Sequence, residues 1–303
     1  IISIRPLQIT NLTSAQVPYI TTASIKSLTL IQVQSFNPVV ISELTTTIIS
    51  EFNPEQIVAF TTAEINNLIS SQVSYITLTA IKNLSTDQIV AFNPNAISGL
   101  TTIIIKEFNS EQIIALTTRQ INKLISSQVP YITLSAIKKL STLQISTFNP
   151  NAISGFTSNE ISEFASNQII AFTSAQINNL TSYQVPFIIL SSIKSLSIQQ
   201  VSAFNPNTIS GITPTQIIEF VSIQIMSFST EQINNLTLQQ IPFIGRITII
   251  SLTTLQISAL KPNIISSITT DQLSGFNTNQ ISALTEFQVN NLTSIQIPYI
   301  STS

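Results

Sequence analysis

The chain has 303 residues, 11 Lys and Arg against 13 Asp and Glu, and only 8% charged residues, where an average soluble domain carries about 25%. Cys and His are absent, which excludes disulfides, a thiol nucleophile, an imidazole base and zinc or haem ligation, so neither a metal nor a cofactor is expected. A net charge of −2 and a pI near 5.1 lack the clustered basic footprint that a nucleic-acid partner requires.

From Arg5 the chain divides into 37 consecutive octads, residues 5–300, with no insertion or deletion. Position 5 of every octad is Ile, Val or Leu, beginning Ile9, Val17, Ile25 and Val33 and ending at Ile297. Position 8 is always Leu, Ile or Phe, from Leu12, Ile20, Leu28 and Phe36 to Ile300. At most four residues flank the octads at either end, so residues 1–303 read as a single continuous repeat array.

Each octad reads as one very short capped helix. Position 1 is Thr, Asn or Ser in 29 octads and position 4 is Gln or Glu in 25, which is the capping-box pattern. Pro6, Pro38, Pro54, Pro94, Pro150, Pro206, Pro214 and Pro262 occupy position 2, the first helical site, where a missing N–H costs nothing. In the octad NPEQIVAF, residues 53–60, Asn53 caps, Pro54 follows and Gln56 sits at N3. The fold class expected is all-α: a solenoid or superhelix of helices about 9 Å long, stable only when stacked neighbours cover their apolar face. The alternative is a β-solenoid, favoured by the Ile, Thr and Phe content. The 3,5,3,5 spacing of apolar sites opposes it, because strands alternate with period 2.

A 56-residue super-repeat of seven octads is superimposed. The motif Q-[VI]-[PS]-[YF]-I occurs at 16–20, 72–76, 128–132, 184–188, 240–244 and 296–300. Pro18, Pro130, Pro186, Pro242 and Pro298 follow the position-5 residue there. Proline inside a helix removes a hydrogen bond and clashes with the preceding turn, so these octads are expected to be kinked, 3₁₀ or extended. Ser74 replaces proline once, which suggests a kink that does not strictly need it. Beside the kinks stands an aromatic column of Tyr19, Tyr75, Tyr131, Phe187, Phe243 and Tyr299; packing is the expected role, with a ligand-stacking platform as the sharper alternative. Gly99, Gly155 and Gly211 recur at position 7, where a helix C-terminus accepts glycine.

Charges follow the same period. Lys26, Lys82, Lys138 and Lys194 recur at the seven-octad interval, as do Glu51, Glu107, Glu163 and Glu219. If seven octads make a whole number of superhelical turns, these form two stripes parallel to the axis. They read either as duplication relics on a solvated face or as assembly stripes, Lys on one copy meeting Glu on another. N-L-[ST] sequons at Asn11, Asn83, Asn179, Asn235 and Asn291 arise wherever Asn-Leu precedes a capping Thr or Ser, and no glycosylation is read into them.

A polar cap returns in every octad, so no transmembrane helix is expected despite a mean hydropathy of +0.38. The array starts and stops inside the repeat without a polar capping unit. That leads to the expectation of an end-to-end assembling subunit or an excerpt of a longer array.

The units LTTRQINKL (116–124), FTSAQINNL (172–180) and LTSAQVPYI (12–20) resemble the L-T-x-x-Q-[IV]-x-x-L octapeptide repeats of giant bacterial surface and secreted proteins, often described as adhesin- or haemagglutinin-like. The resemblance covers essentially the whole chain, although this copy is rich in Asn and Ile where those arrays are rich in Ala. It implies an extracellular or cell-surface location and offers no catalytic residue to carry over. The function expected is therefore a non-enzymatic structural fibre or adhesin subunit that self-assembles. Its partners would be itself and a host or neighbouring-cell surface. The alternative is a solenoid binding scaffold or secreted effector engaging a host or partner protein.

Overall fold

A computed structural model of the chain describes residues 4–300, and among these there is no β-strand: the protein is all-α. Its helices are three to six residues long, one in every octad. In the octad read above, the helix is Pro54–Val58. The Asn53 side chain accepts from the Gln56 N–H at 2.9 Å, and the Asn53 N–H donates to Gln56 Oε1 at 2.9 Å. Each helix stops because position 8 and the next position 1 are both extended. Phe52 has φ −66°, ψ 129° and Asn53 φ −71°, ψ 164°. Two extended residues in succession redirect the chain before the next capped helix begins.

The pitch of the solenoid is set by contacts at a fixed offset. Helix Thr86–Ala91 packs on Thr62–Asn66 and on Ser110–Ala115, each three octads away along the chain. Gln112 bonds the carbonyls of Ile81 and Leu84, 31 and 28 residues earlier. One superhelical turn therefore takes about 28 residues, three and a half octads, and each octad sits over a junction between two octads of the turn before. Two turns make seven octads, the length of the super-repeat. The half-octad offset is why the sequence repeats at seven octads and not at three or four.

Between residues 13 and 276 every position-5 and position-8 side chain is buried. Successive position-8 phenylalanines meet edge to face, as in Phe52–Phe60 at 5.2 Å between centroids and Phe164–Phe172 at 5.5 Å. Outside that span the inward assignment weakens: Val289 and Ile297 are exposed. The described contacts gather into two units, Ile1–Gly155 and Phe156–Ser303, each built by the same rule.

Two local expectations are corrected. The proline octads form 3₁₀ turns, Val17–Tyr19 and Val129–Tyr131 among them, but Ser70–Val73 is α-helical where Ser74 replaces proline. The 3₁₀ turn thus follows the proline. Position-2 prolines also open 3₁₀ segments at Pro38–Glu43, Pro150–Gly155, Pro206–Gly211 and Pro262–Ser267. No glycine has positive φ, so Gly99 and Gly155 are not left-handed caps. A Cβ on Gly99 would overlap the backbone of Ser70, and one on Gly155 that of Ser126, in each case on the preceding turn of the solenoid. Close approach of adjacent turns is what requires glycine there.

Candidate functional site

The residue type that organises the molecule is the position-4 glutamine. Its Oε1 accepts the N–H that opens its own helix, while its Nε2 reaches back one turn to the carbonyls that end earlier helices. Gln72 Nε2 donates to Ile41 O at 2.8 Å and Leu44 O at 2.7 Å, and Gln240 Nε2 to Ile209 O at 2.8 Å and Ile212 O at 2.6 Å. One side chain satisfies orphan donors of one helix and orphan acceptors of another. The cap function was legible in the sequence; the reach to the previous turn was not. A signal was present: where position 4 is not Gln or Glu it is Ala, Val, Ile, Ser or Thr, never a cation. Ala80, Ala96 and Ile104 at that position are buried, making position 4 a third inward column.

Glutamate replaces glutamine twice in this column, at Glu64 and Glu160, and both are buried. Glu64 Oε2 accepts from the Thr61 N–H at 2.6 Å and hydroxyl at 2.8 Å, but Oε1 has no partner, and Glu160 Oε1 likewise has none. A carboxylate oxygen cannot donate to the carbonyls a glutamine Nε2 would meet. Burial raises both carboxyls above their ordinary pKa, opposed in part by the threonine N–H and hydroxyl bonds.

Within the charge stripes, rungs are paired along the chain. Lys26 and Glu51 lie 2.6 Å apart, as do Lys82 and Glu107, each pair bridging adjacent turns. Lys138 and Glu163 occupy equivalent positions in the sequence, the first in one unit and the second in the next. Lys194 and Glu219 form no ion pair among the described residues. Arg246 and Asp271 reproduce the same offset, Nε donating to the Asp271 carbonyl at 2.9 Å. Exposed pairs of this kind contribute little stability, but they leave the stripe electrically neutral.

The aromatic column, expected to pack, is exposed. Tyr19 is 84% accessible, Tyr75 50%, Tyr131 42%, and Phe187, Phe243 and Tyr299 are all exposed. Position 7 faces outward whether proline precedes it (Pro18, Pro130, Pro186, Pro242, Pro298) or Ser74 does, since Tyr75 follows an α-helical turn and is exposed all the same. Between these rungs, Ile103 is 62% accessible one turn from Tyr75, on helix Thr102–Glu107, which packs on both Leu78–Asn83 and Val129–Tyr131. In the second unit, helix Pro214–Glu219 packs likewise on Leu190–Ile193 and Ile241–Phe243, but the position equivalent to Ile103 is the exposed Thr215. Both units thus expose aromatic rungs, and in the first Ile103 joins Tyr75 to Tyr131 as an apolar stripe.

The sequon asparagines also find a local role. Asn83 Nδ2 donates to Thr79 O at 2.8 Å and Asn235 Nδ2 to Glu231 O at 2.9 Å, closing the last turn of their own helices. Shallow grooves recur between turns. One of about 610 Å³ includes Thr62, Asn66, Pro94 and Thr117, and one of about 360 Å³ includes Thr230, Asn234, Pro262 and Thr285, each residue displaced by three super-repeats. Among the described residues no helix is long and apolar enough to cross a membrane. Scanned against known protein families and against curated proteins, the chain matches none of either.

Proposed function

We propose that this chain is a non-enzymatic structural repeat protein that associates with copies of itself into fibres at the cell surface or outside the cell, as an adhesin-like subunit. The observation that carries this reading is the division of labour between inside and outside. Glutamines satisfy the helix ends internally, and the outer surface is left to repeat every seven octads with an exposed aromatic rung and few net charges. A periodic, nearly neutral surface meets an identical surface in register and without strong self-repulsion. The resemblance to octapeptide repeats of bacterial surface and secreted proteins supports the same location and adds a host or neighbouring-cell surface as a second partner. Sedimentation at micromolar concentration with negative-stain imaging tests it. Oligomers or fibres are expected, and a 33.1 kDa monomer at every concentration would overturn the reading.

The recurrence of the Thr62–Asn66–Pro94–Thr117 groove at Thr230–Asn234–Pro262–Thr285 favours a second reading, a binding scaffold or secreted effector that engages an extended partner through equivalent sites. A monomer that captures a partner with several equivalent contacts would promote this reading over the first.

A further inference from the structure

The self-association reading leaves open which surface makes the contact. We propose that the aromatic stripe is that surface, and that two copies pair side by side through it; the inference rests on the self-association reading above. In the unit Ile1–Gly155 the stripe is made by Tyr19, Tyr75, Leu78, Ile103, Tyr131 and Leu134, all exposed. Tyr75, Ile103 and Tyr131 succeed one another at intervals of one superhelical turn, and the helix bearing Ile103 packs against the segments that carry Leu78 and Tyr131. From Tyr75 to Leu134 the apolar residues thus sit on packed neighbouring elements, while Tyr19 stands two turns before Tyr75 with exposed Thr47 between.

Three features point to a second copy as occupant. First, the area suffices: the five residues from Tyr75 to Leu134 expose roughly 500 Å², so a pair would bury on the order of 1,000 Å², the lower bound of specific interfaces, before Tyr19 is added. Second, the border is polar. The Lys26–Glu51 and Lys82–Glu107 pairs stand beside the stripe, with Lys106 at its edge, giving the apolar centre and polar rim of a protein interface. Third, the period matches by construction, because every aromatic rung of one copy meets a rung of the other once one rung is in register. Tyr19 and Tyr131 end proline-opened 3₁₀ turns, whose fixed φ leaves little backbone freedom to lose on contact.

Exposed apolar residues elsewhere supply the control. Leu143 is also largely exposed but lies one and a half octads beyond Tyr131, nearly half a superhelical turn around the unit. The test compares the full chain with the triple variant Tyr75→Ser, Ile103→Ser, Tyr131→Ser and with Leu143→Ser, using sedimentation velocity and far-UV circular dichroism. Wild type and Leu143→Ser are expected to associate alike, and the stripe variant to require at least tenfold higher concentration with an unchanged helical spectrum. If the stripe variant associates as wild type does, or if Leu143→Ser disperses the assembly, the stripe is not the contact. A monomeric wild type would instead overturn the self-association reading itself. Because the chain has no cysteine, single substitutions provide a second measurement that does not depend on the triple variant folding. Ile103→Cys should form an intermolecular disulfide on mild oxidation while Leu143→Cys does not, and the reverse pattern would overturn the proposal.

Discussion

A glutamine amide carries an acceptor and two donors on one rigid plane, which is what a site between a helix start and two helix ends requires. Replacing the amide by carboxyl at Glu64 keeps the acceptor and loses the donor. By the offsets of 31 and 28 seen at Gln56 and Gln72, the Glu64 Oε1 falls opposite the carbonyls of Val33 and Phe36. The proton restores a donor, so the folded state holds it more tightly than the unfolded chain does, in line with the raised pKa. Where the folded state binds more protons, stability falls as pH rises. The contribution is present below the ordinary glutamate value of about 4.3 and is lost as pH climbs through the raised one. Glu64→Gln is therefore expected to stabilise the protein at pH 7 by about 1–3 kcal/mol. Denaturant midpoints measured across pH should show the gain shrinking towards acid; a gain independent of pH would exclude the proton as its cause. Gly99 offers the opposite case. Gly99→Ala drives a methyl into the Ser70 backbone, and a loss of about 1–3 kcal/mol is expected, whereas Gly245→Ala, whose Cβ would meet only Thr248 Oγ1 at 3.7 Å, should be nearly neutral.

Among the elements, the proline octads test how backbone chemistry selects helix type. Ser74 has φ −68°, inside the range that proline enforces, and its only side-chain bond is Oγ to Ser71 O at 3.1 Å. Ser74→Pro should convert the Ser70–Val73 turn to the 3₁₀ form of Val129–Tyr131; its entropic gain of about 0.5 kcal/mol through the unfolded state is offset by loss of the Ser74 N–H bond to Gln72 O, so little net change in stability is expected. A drop in midpoint of several degrees would show that the serine octad is held α-helical by its neighbours. The caps, the register and the two apolar columns at positions 5 and 8 were legible because they are local: an N3 glutamine three residues from its Thr, or Ile57 three from Phe60. The number of octads per turn was not legible, since it depends on bonds such as Gln56 to Ile25 and Leu28, which a pattern within one octad does not encode. For the same reason the Lys26–Glu51 pair was read as two separate stripes: its partners lie far apart in sequence, on adjacent turns. The aromatic column was misjudged because an aromatic next to the buried Ile20 and Ile132 reads as core, whereas position 7 faces outward after a 3₁₀ and an α-helical turn alike.

At the scale of the whole molecule, stacking turns replace the globular core. Helix Ser110–Ala115 touches Thr86–Ala91 on one side and Leu134–Lys139 on the other, and its stitches run to Ile81 and Leu84. In such an array stability is a sum of unit terms and nearest-neighbour interfaces, so damage should spread by contact along the axis and decay with the number of turns. Ile113 is fully buried, and Ile113→Asp places an unpaired charge where no donor is available, a change expected to cost about 4 kcal/mol or more locally. Amide hydrogen exchange on the full-length variant should then show protection lost in residues 81–91, 110–115 and 134–139. Residues 17–44, more than two turns away, should exchange at the wild-type rate, because their own stitches, such as Gln72 to Ile41 and Leu44, are untouched. Uniform loss of protection over residues 17–140 would mean that the unit melts as one cooperative body and that nearest-neighbour stacking does not govern its stability. Protection retained around residue 113 would place that side chain on the wrong face.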